Sequence, residues 1–285
     1  MNNGHPNQAI RCFKRLLTAF TARAVEANPG LQVSLAHVQP RNLDELPPKD
    51  SDITLSSGGP GSPYEGYEDP WCVGWRNFID HVLNQNLKQP VGGPAMLNVC
   101  HSFEIASHHL GVATLQPRDK RKFGIMPVYP TEHGQVSDLF QGFGDRLFAF
   151  EHRSWEVVDL NEKRVAQLGG ALLARESRDG QSKGRGLVAF RFGPGVEGTI
   201  FHPEADREGV MAWIDKPEMA AAFKDAYGDE TYEQMMDTLN DPSRVARTFK
   251  LFIPTFLTQR FNALAASRGW RTLPPPSEDD SGLDL

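Results

Sequence analysis

A cysteine, a histidine and a glutamate stand in this chain where they could act together. Cys100 closes the apolar run Ala95-Met96-Leu97-Asn98-Val99 and opens Ser102-Phe103-Glu104-Ile105-Ala106-Ser107. The first stretch reads as a buried strand and the second as a helix, so Cys100 falls on the elbow between them. A thiol there sits at a helix N-terminus, whose partial positive charge favours thiolate. His202 follows Gly198-Thr199-Ile200-Phe201, the end of a second strand, and Glu204 comes two residues later, within reach to orient the imidazole. A thiol nucleophile, a base and an orienting carboxylate are what acyl transfer through a thioester requires. Cys12 and Cys72 fall in helical stretches and read as buried structural thiols.

The other chemical signals were weighed against this one. Gly58-Gly59-Pro60-Gly61 lacks the Lys-Ser/Thr ending of a phosphate loop. Beside a nucleophilic cysteine it reads as half of an oxyanion hole, with the Gly59 N–H and the His101 N–H as donors. Gly193-Pro194-Gly195-Val196-Glu197-Gly198 fits a dinucleotide fingerprint in form, but a strand follows where a helix is needed, so a hairpin turn is expected. His101, His108 and His109 cluster without an acidic or thiol partner at ligand spacing other than Cys100, so no metal and no cofactor are expected. In Phe150-Glu151-His152-Arg153, His152 and Arg153 are candidate pocket-lining residues, and the Arg153 fork suits a substrate carboxylate.

Three blocks in order resemble the class I glutamine amidotransferases, the Cys-His-Glu branch of a wider family that includes gamma-glutamyl hydrolases and homoserine acyltransferases. They are Ser56-Ser57-Gly58-Gly59-Pro60-Gly61-Ser62-Pro63, Asn98-Val99-Cys100-His101-Ser102-Phe103-Glu104, and Gly198-Thr199-Ile200-Phe201-His202-Pro203-Glu204. The resemblance implies Cys100, His202 and Glu204 as catalytic residues and Gly59 and His101 as oxyanion donors. It also implies that Glu104, His152 and Arg153 lie in the substrate pocket. The implied reaction converts glutamine, or a related amide, to the acid plus ammonia, which passes to a separate acceptor or synthetase protein. A gamma-glutamyl-type hydrolase or acyltransferase on the same triad, or a non-catalytic regulatory subunit, are the alternatives. The chain departs from the family elbow, Gly-x-Cys-x-Gly-x-Gln, at Asn98, Ser102 and Glu104. An ionised Glu104 accepts hydrogen bonds but donates none, so it suits an ammonium better than it suits the amide of glutamine.

These residues need a scaffold. Alternating strand and helix signals lead to an α/β fold: a flavodoxin-like, mostly parallel central sheet with helices on both faces. An antiparallel section and a C-terminal helical extension complete it. Helical spacing covers 9–27 and 71–87; strands are expected at 31–38, 52–56 and 95–99. Short apolar runs at 122–129, 146–151, 171–176 and 186–192 form the antiparallel section. The family's first strand has no counterpart ahead of Asn2-Asn3-Gly4-His5-Pro6-Asn7. The expected organisation is a catalytic domain over 1–215, a helical extension over 216–273 packed on it, and a disordered acidic tail over 274–285. The last helix begins at Asp241-Pro242-Ser243 and is expected to kink or break at Pro254.

Hydrophobic residues make up 39% of the 285 and charged ones 23%, which fits a soluble globular protein. The net charge of −6 argues against broad nucleic-acid binding. No apolar run is long enough to span a bilayer, so no membrane partner is expected. Three cysteines form no disulfide framework, and a catalytic thiol needs a reducing compartment, so the expected location is the cytoplasm.

Overall fold

The computed structural model describes residues 1–4, 8–89, 91–179 and 185–279. In chain order the elements are α1 (Gln8–Ala27), α2 (Pro40–Leu43), β1 (Ile53–Ser56), α3 (Pro70–Lys88), β2 (Ala95–Val99) and α4 (His101–His109). Then come β3 (Thr114–Pro130), α5 (Glu132–Gln135), β4 (Leu147–Val158), α6 (Glu162–Gln167), β5 (Ala171–Arg175), β6 (Leu187–Gly193) and β7 (Val196–Thr199). Helices α7 (Arg207–Ile214), α8 (Pro217–Tyr227), α9 (Asp229–Asn240) and α10 (Arg247–Arg268) follow, with a π-turn at Pro242–Ala246 leading into α10.

The strands form one seven-stranded mixed sheet in the order β1-β2-β7-β6-β5-β3-β4. β1, β2 and β7 run parallel, and the remaining four pairings are antiparallel. All five residues of β2 are buried, as a strand covered on both faces must be. The register sets Asn98 opposite Gly198 and Val99 opposite Thr199. That pairing brings the end of β2, where the cysteine stands, beside the strand that leads to the histidine. Pro194 and Gly195, with Gly195 at φ +75°, make the turn between β6 and β7; a side chain at Gly195 would also strike the Pro94 carbonyl.

The main core runs under the whole sheet and includes Phe103 packed on Phe190 and Phe192 at 5.9 and 5.6 Å between ring centres. A second cluster joins Phe123 and Ile125 of β3 to Val210, Ile214, Phe223, Met235 and Leu239 of α7 to α9. The helical layer therefore starts with α7 rather than at residue 216. It is also not a separate unit, because Phe249, Phe252, Ile253 and Phe256 of α10 return to the main core.

Three further expectations are corrected. Residues 31–38 form no strand, and Val33 and Leu35 are 37% and 59% exposed; alternation without a neighbouring strand to pair with does not make one. In keeping with the sequence reading, among the described residues the sheet ends at β1 and no strand occupies the slot of the family's first strand. Helix α10 continues through Pro254. Its neighbours Ile253 and Phe256 are fully buried, and their packing outweighs one missing N–H. Finally, residues 274–279 are held rather than loose: Arg23 donates to the Pro274 carbonyl at 2.9 Å and Lys250 to the Glu278 carbonyl at 2.9 Å. The rest of the tail, 280–285, lies outside the described residues.

Candidate active site

Cys100 has φ +55° and ψ −112°, a backbone conformation that costs energy in any residue with a side chain. The surroundings hold it there. Its N–H donates to the Thr199 carbonyl at 2.8 Å, and its carbonyl accepts from the Glu104 N–H at 3.0 Å, starting α4. Ser102 Oγ donates to the Val99 carbonyl at 3.0 Å and ties the helix back to the strand. Asn98, where the family has glycine, stands opposite Gly198, and its Nδ2 donates to the Glu197 carbonyl at 3.3 Å. A Cβ at Gly198 would come within 2.7 Å of the Asn98 carbonyl oxygen.

His202 lies just past β7. Its N–H donates to the Phe150 carbonyl at 2.8 Å, so β4 fixes the loop that carries it. His202 Nδ1 is 2.9 Å from Glu204 Oε1, and Glu204 is 1% exposed. Burial would lower the His202 pKa, but the Glu204 carboxylate and the Cys100 thiol outweigh it and hold the imidazolium well above the ordinary histidine value. Gly58 marks where the two meet: a Cβ there would lie 2.8 Å from Cys100 Cβ, 3.0 Å from His202 Cε1 and 3.2 Å from Cys100 Sγ. Gly59 is bare for a different reason, since its Cβ would fall 1.8 Å from the Met1 carbonyl oxygen. Sequence reasoning singled out Gly59 and missed Gly58, although both stand in one loop. Only the fold reveals which glycine faces the thiol.

The remaining candidates separate. Glu104 is 4% exposed, with Oε2 3.5 Å from His101 Nδ1. The His101 ring is buried, lies over Trp71, and has neither nitrogen hydrogen-bonded. His108 packs edge-on against Tyr64 and Tyr67. Among the described residues no three His, Cys, Asp or Glu side chains are grouped so as to hold a metal ion. Adjacent strand residues point to opposite faces, and His152 and Arg153 part accordingly. His152 shares a face with Phe150, whose ring is 6.0 Å from that of His202. Trp213 of α7 packs on both His152 and Phe150. Burial, the adjacent Arg121 guanidinium and His202 push the His152 pKa down to about 3, so it is neutral near pH 7.

Arg153 belongs to the other face and is fully occupied. Nε donates to Glu151 Oε2 at 2.6 Å, Nη1 to the Trp155 carbonyl at 2.9 Å, and Nη2 to Glu176 Oε2 at 3.1 Å. Lys122 Nζ reaches the same two carboxylates at 2.9 and 2.8 Å. Arg118 joins Glu176 to Glu156. Burial raises the Glu151 pKa, but Lys122 and Arg153 overcome it and bring it down to about 2. The expectation that Arg153 receives a substrate carboxylate is corrected: every guanidinium nitrogen already has a protein partner.

A strained cysteine between a parallel strand and a helix, beside a histidine–glutamate pair from the adjacent strand, sits on a class I glutamine amidotransferase-like fold. The sheet and helices match those of solved structures. SMU.1228c aligns over 85% of this chain and 93% of its own, with TM-score 0.55 and 19% identity. A glutamine amidotransferase from Thermotoga maritima aligns over 76% and 80%, with TM-score 0.50 and 17% identity. The glutaminase domain of CTPS from Trypanosoma brucei, solved with bound acivicin, aligns over 77% and 92%, with TM-score 0.50 and 14% identity. At these identities the likeness is one of fold. No protein-family model and no curated protein matches the sequence. No helix of the described residues is long and apolar enough to cross a membrane.

Proposed function

We propose that the protein is a glutamine amidotransferase-like enzyme that cleaves a side-chain amide through a thioester on Cys100. The thiolate attacks the amide carbon, and the carbonyl electrons move onto oxygen, held by the N–H groups of Gly59 and His101. His202, having taken the thiol proton, gives it to the leaving nitrogen, and ammonia departs as the carbonyl re-forms. Water then attacks the thioester, His202 takes a proton from it and returns one to sulfur, and the carboxylate leaves. With glutamine the products are glutamate and ammonia, which goes to a separate acceptor or synthetase protein. Glu204 keeps His202 in the orientation and charge state each step needs.

The convergence of Cys100 and His202 on Gly58 carries this reading. Glu104 favours a second version on the same triad, a gamma-glutamyl-type hydrolase or acyltransferase. A buried carboxylate one turn into α4, if it faces the donor, selects one that offers an ammonium or N–H. The test measures ammonia from glutamine and from small gamma-glutamyl amides with wild type, Cys100→Ala and Glu104→Gln. Wild type should release ammonia and Cys100→Ala none; Glu104→Gln should improve the use of free glutamine. No release from any donor, with no labelling of Cys100 by a glutamine-like electrophile, would overturn the proposal and leave a non-catalytic regulatory subunit.

A further inference from the structure

A cavity of about 210 Å³ lies away from Cys100, between the start of β4 and the start of the last helix. Arg146, Arg244 and Arg247 all line it, around Phe148. The guanidinium carbons of Arg146 and Arg244 lie 5.4 and 4.6 Å from the Phe148 ring centre, so one ring holds two cations. Two carboxylates, Asp145 and Asp241, also line the cavity, and both are paired, Asp241 with Arg244 itself. Asp145 pairs with Arg178. Asp241 accepts from the Ser243 N–H at 2.9 Å, from Ser243 Oγ at 2.6 Å and from Arg244 Nε at 2.9 Å, capping the turn into α10. Arg146 has no ion pair among the described residues. The cavity thus carries more positive charge than its own walls neutralise.

The chain itself supplies the missing anion. Glu278 Oε1 sits 3.1 Å from Arg247 Nε, and Lys250 Nζ donates to the Glu278 carbonyl at 2.9 Å. A carboxylate from a segment with no helix or strand of its own therefore reaches an arginine that lines this cavity. We propose that the Arg146–Arg244–Arg247 cavity is a binding site for a small oxyanion-bearing ligand, a phosphate ester or a short carboxylate, for which Glu278 competes at Arg247. Guanidinium groups suit both ligand types, since their donors match either oxyanion in a forked geometry.

The site has a direct line to the chemistry. Thr248 Oγ1 donates to the Phe148 carbonyl at 2.7 Å, tying the helix to the strand at the cavity wall. Phe150 is two residues along the same face of β4, about 7 Å at strand rise, and its carbonyl anchors the His202 N–H. Occupancy of the cavity would bear on the strand that positions His202.

Isothermal titration calorimetry on the full chain, with inorganic phosphate and with succinate at matched ionic strength, tests the site without relying on turnover. Binding of either anion is expected, and the anion that binds distinguishes a phosphorylated ligand from a carboxylate one. Glu278→Gln should bind severalfold tighter, because the competing charge is gone. Arg146→Ala, at an exposed side chain whose loss leaves the fold intact, and Arg247→Gln should each weaken binding about tenfold or more. Failure of both anions to bind the Glu278→Gln protein, or equal binding by the arginine variants, would overturn the inference.

Discussion

Glu204 and Glu151 are both buried, 1% and 0% exposed, yet they live under opposite rules. Glu151, in the antiparallel half of the sheet, sits between Lys122 and Arg153, and Glu176 shares both cations. Its Oε1, though off the hydrogen-bond angle, still faces Lys122 Nζ at 2.9 Å. Around the elbow, where the parallel strands meet, polar atoms go without partners: Glu204 Oε2, Asn98 Oδ1 and both ring nitrogens of His101. A buried polar atom without a partner costs free energy that matched pairs do not. The difference teaches that a closed charge network braces the antiparallel half of the sheet, whereas the elbow leaves several buried polar atoms without a protein partner.

If so, substitutions at the elbow should remove activity and leave stability, and substitutions in the charge network should do the reverse. The largest effect is at the reacting groups. Cys100→Ala should abolish ammonia release, and His202→Ala should lower the rate by roughly 10⁴-fold or more, with the melting temperature barely moved; rates and calorimetry on the same preparations check both. Glu204→Gln should cost less in rate. It removes the charge that raises the His202 pKa, so the pH profile of Cys100 alkylation should shift as the imidazolium is lost at lower pH.

Next comes Glu151→Ala, which leaves Lys122 and Arg153 with Glu176 as their shared carboxylate and should destabilise the fold by about 3 kcal/mol, the lower end for breaking a buried pair, read by urea unfolding, while alkylation of Cys100 in the folded protein stays near normal. Arg153→Ala should behave the same way, with an unchanged Michaelis constant for acidic donors; a rise there would break the contrast. Gly58→Ala forces a Cβ to within 3 Å of both Cys100 and His202 and should lower the rate about a hundredfold, the cost of a small misplacement of reacting groups, with little loss of stability. The smallest effect concerns His152. Its folded pKa of about 3 lies below the unfolded value, so the unfolded chain binds the proton first. Its contribution is complete above pH 6.5 and is lost as pH falls from there toward 3; His152→Asn should flatten that part of the stability curve.

The elbow was legible because strand, thiol and helix are adjacent in sequence, and because Phe201-His202-Pro203-Glu204 keeps base and orienter together. The same local logic located five of the seven strands within a few residues and underestimated the lengths of β3 and β4. It failed wherever the deciding partner is remote. Alternation at 31–38 looked like a strand, but no neighbouring strand is there to pair with it. Arg153 looked free because Glu176 is far along the chain. The period of two in β4 did contain the fact that His152 and Arg153 face opposite ways, a signal present in the sequence and not used.

β1 ends the sheet and is four residues long, and the loop carrying Gly58 and Gly59 leaves directly from it. Cys100 leaves instead from β2, which is hydrogen-bonded on both sides. Strands at an edge open more readily than strands in the interior. The thiol and the Gly58–Gly59 loop therefore keep different time: amide hydrogens of β1 should exchange with solvent well before those of β2, and on the proposed mechanism the fraction of time that β1 is closed sets how often the Gly59 N–H stands ready for the oxyanion.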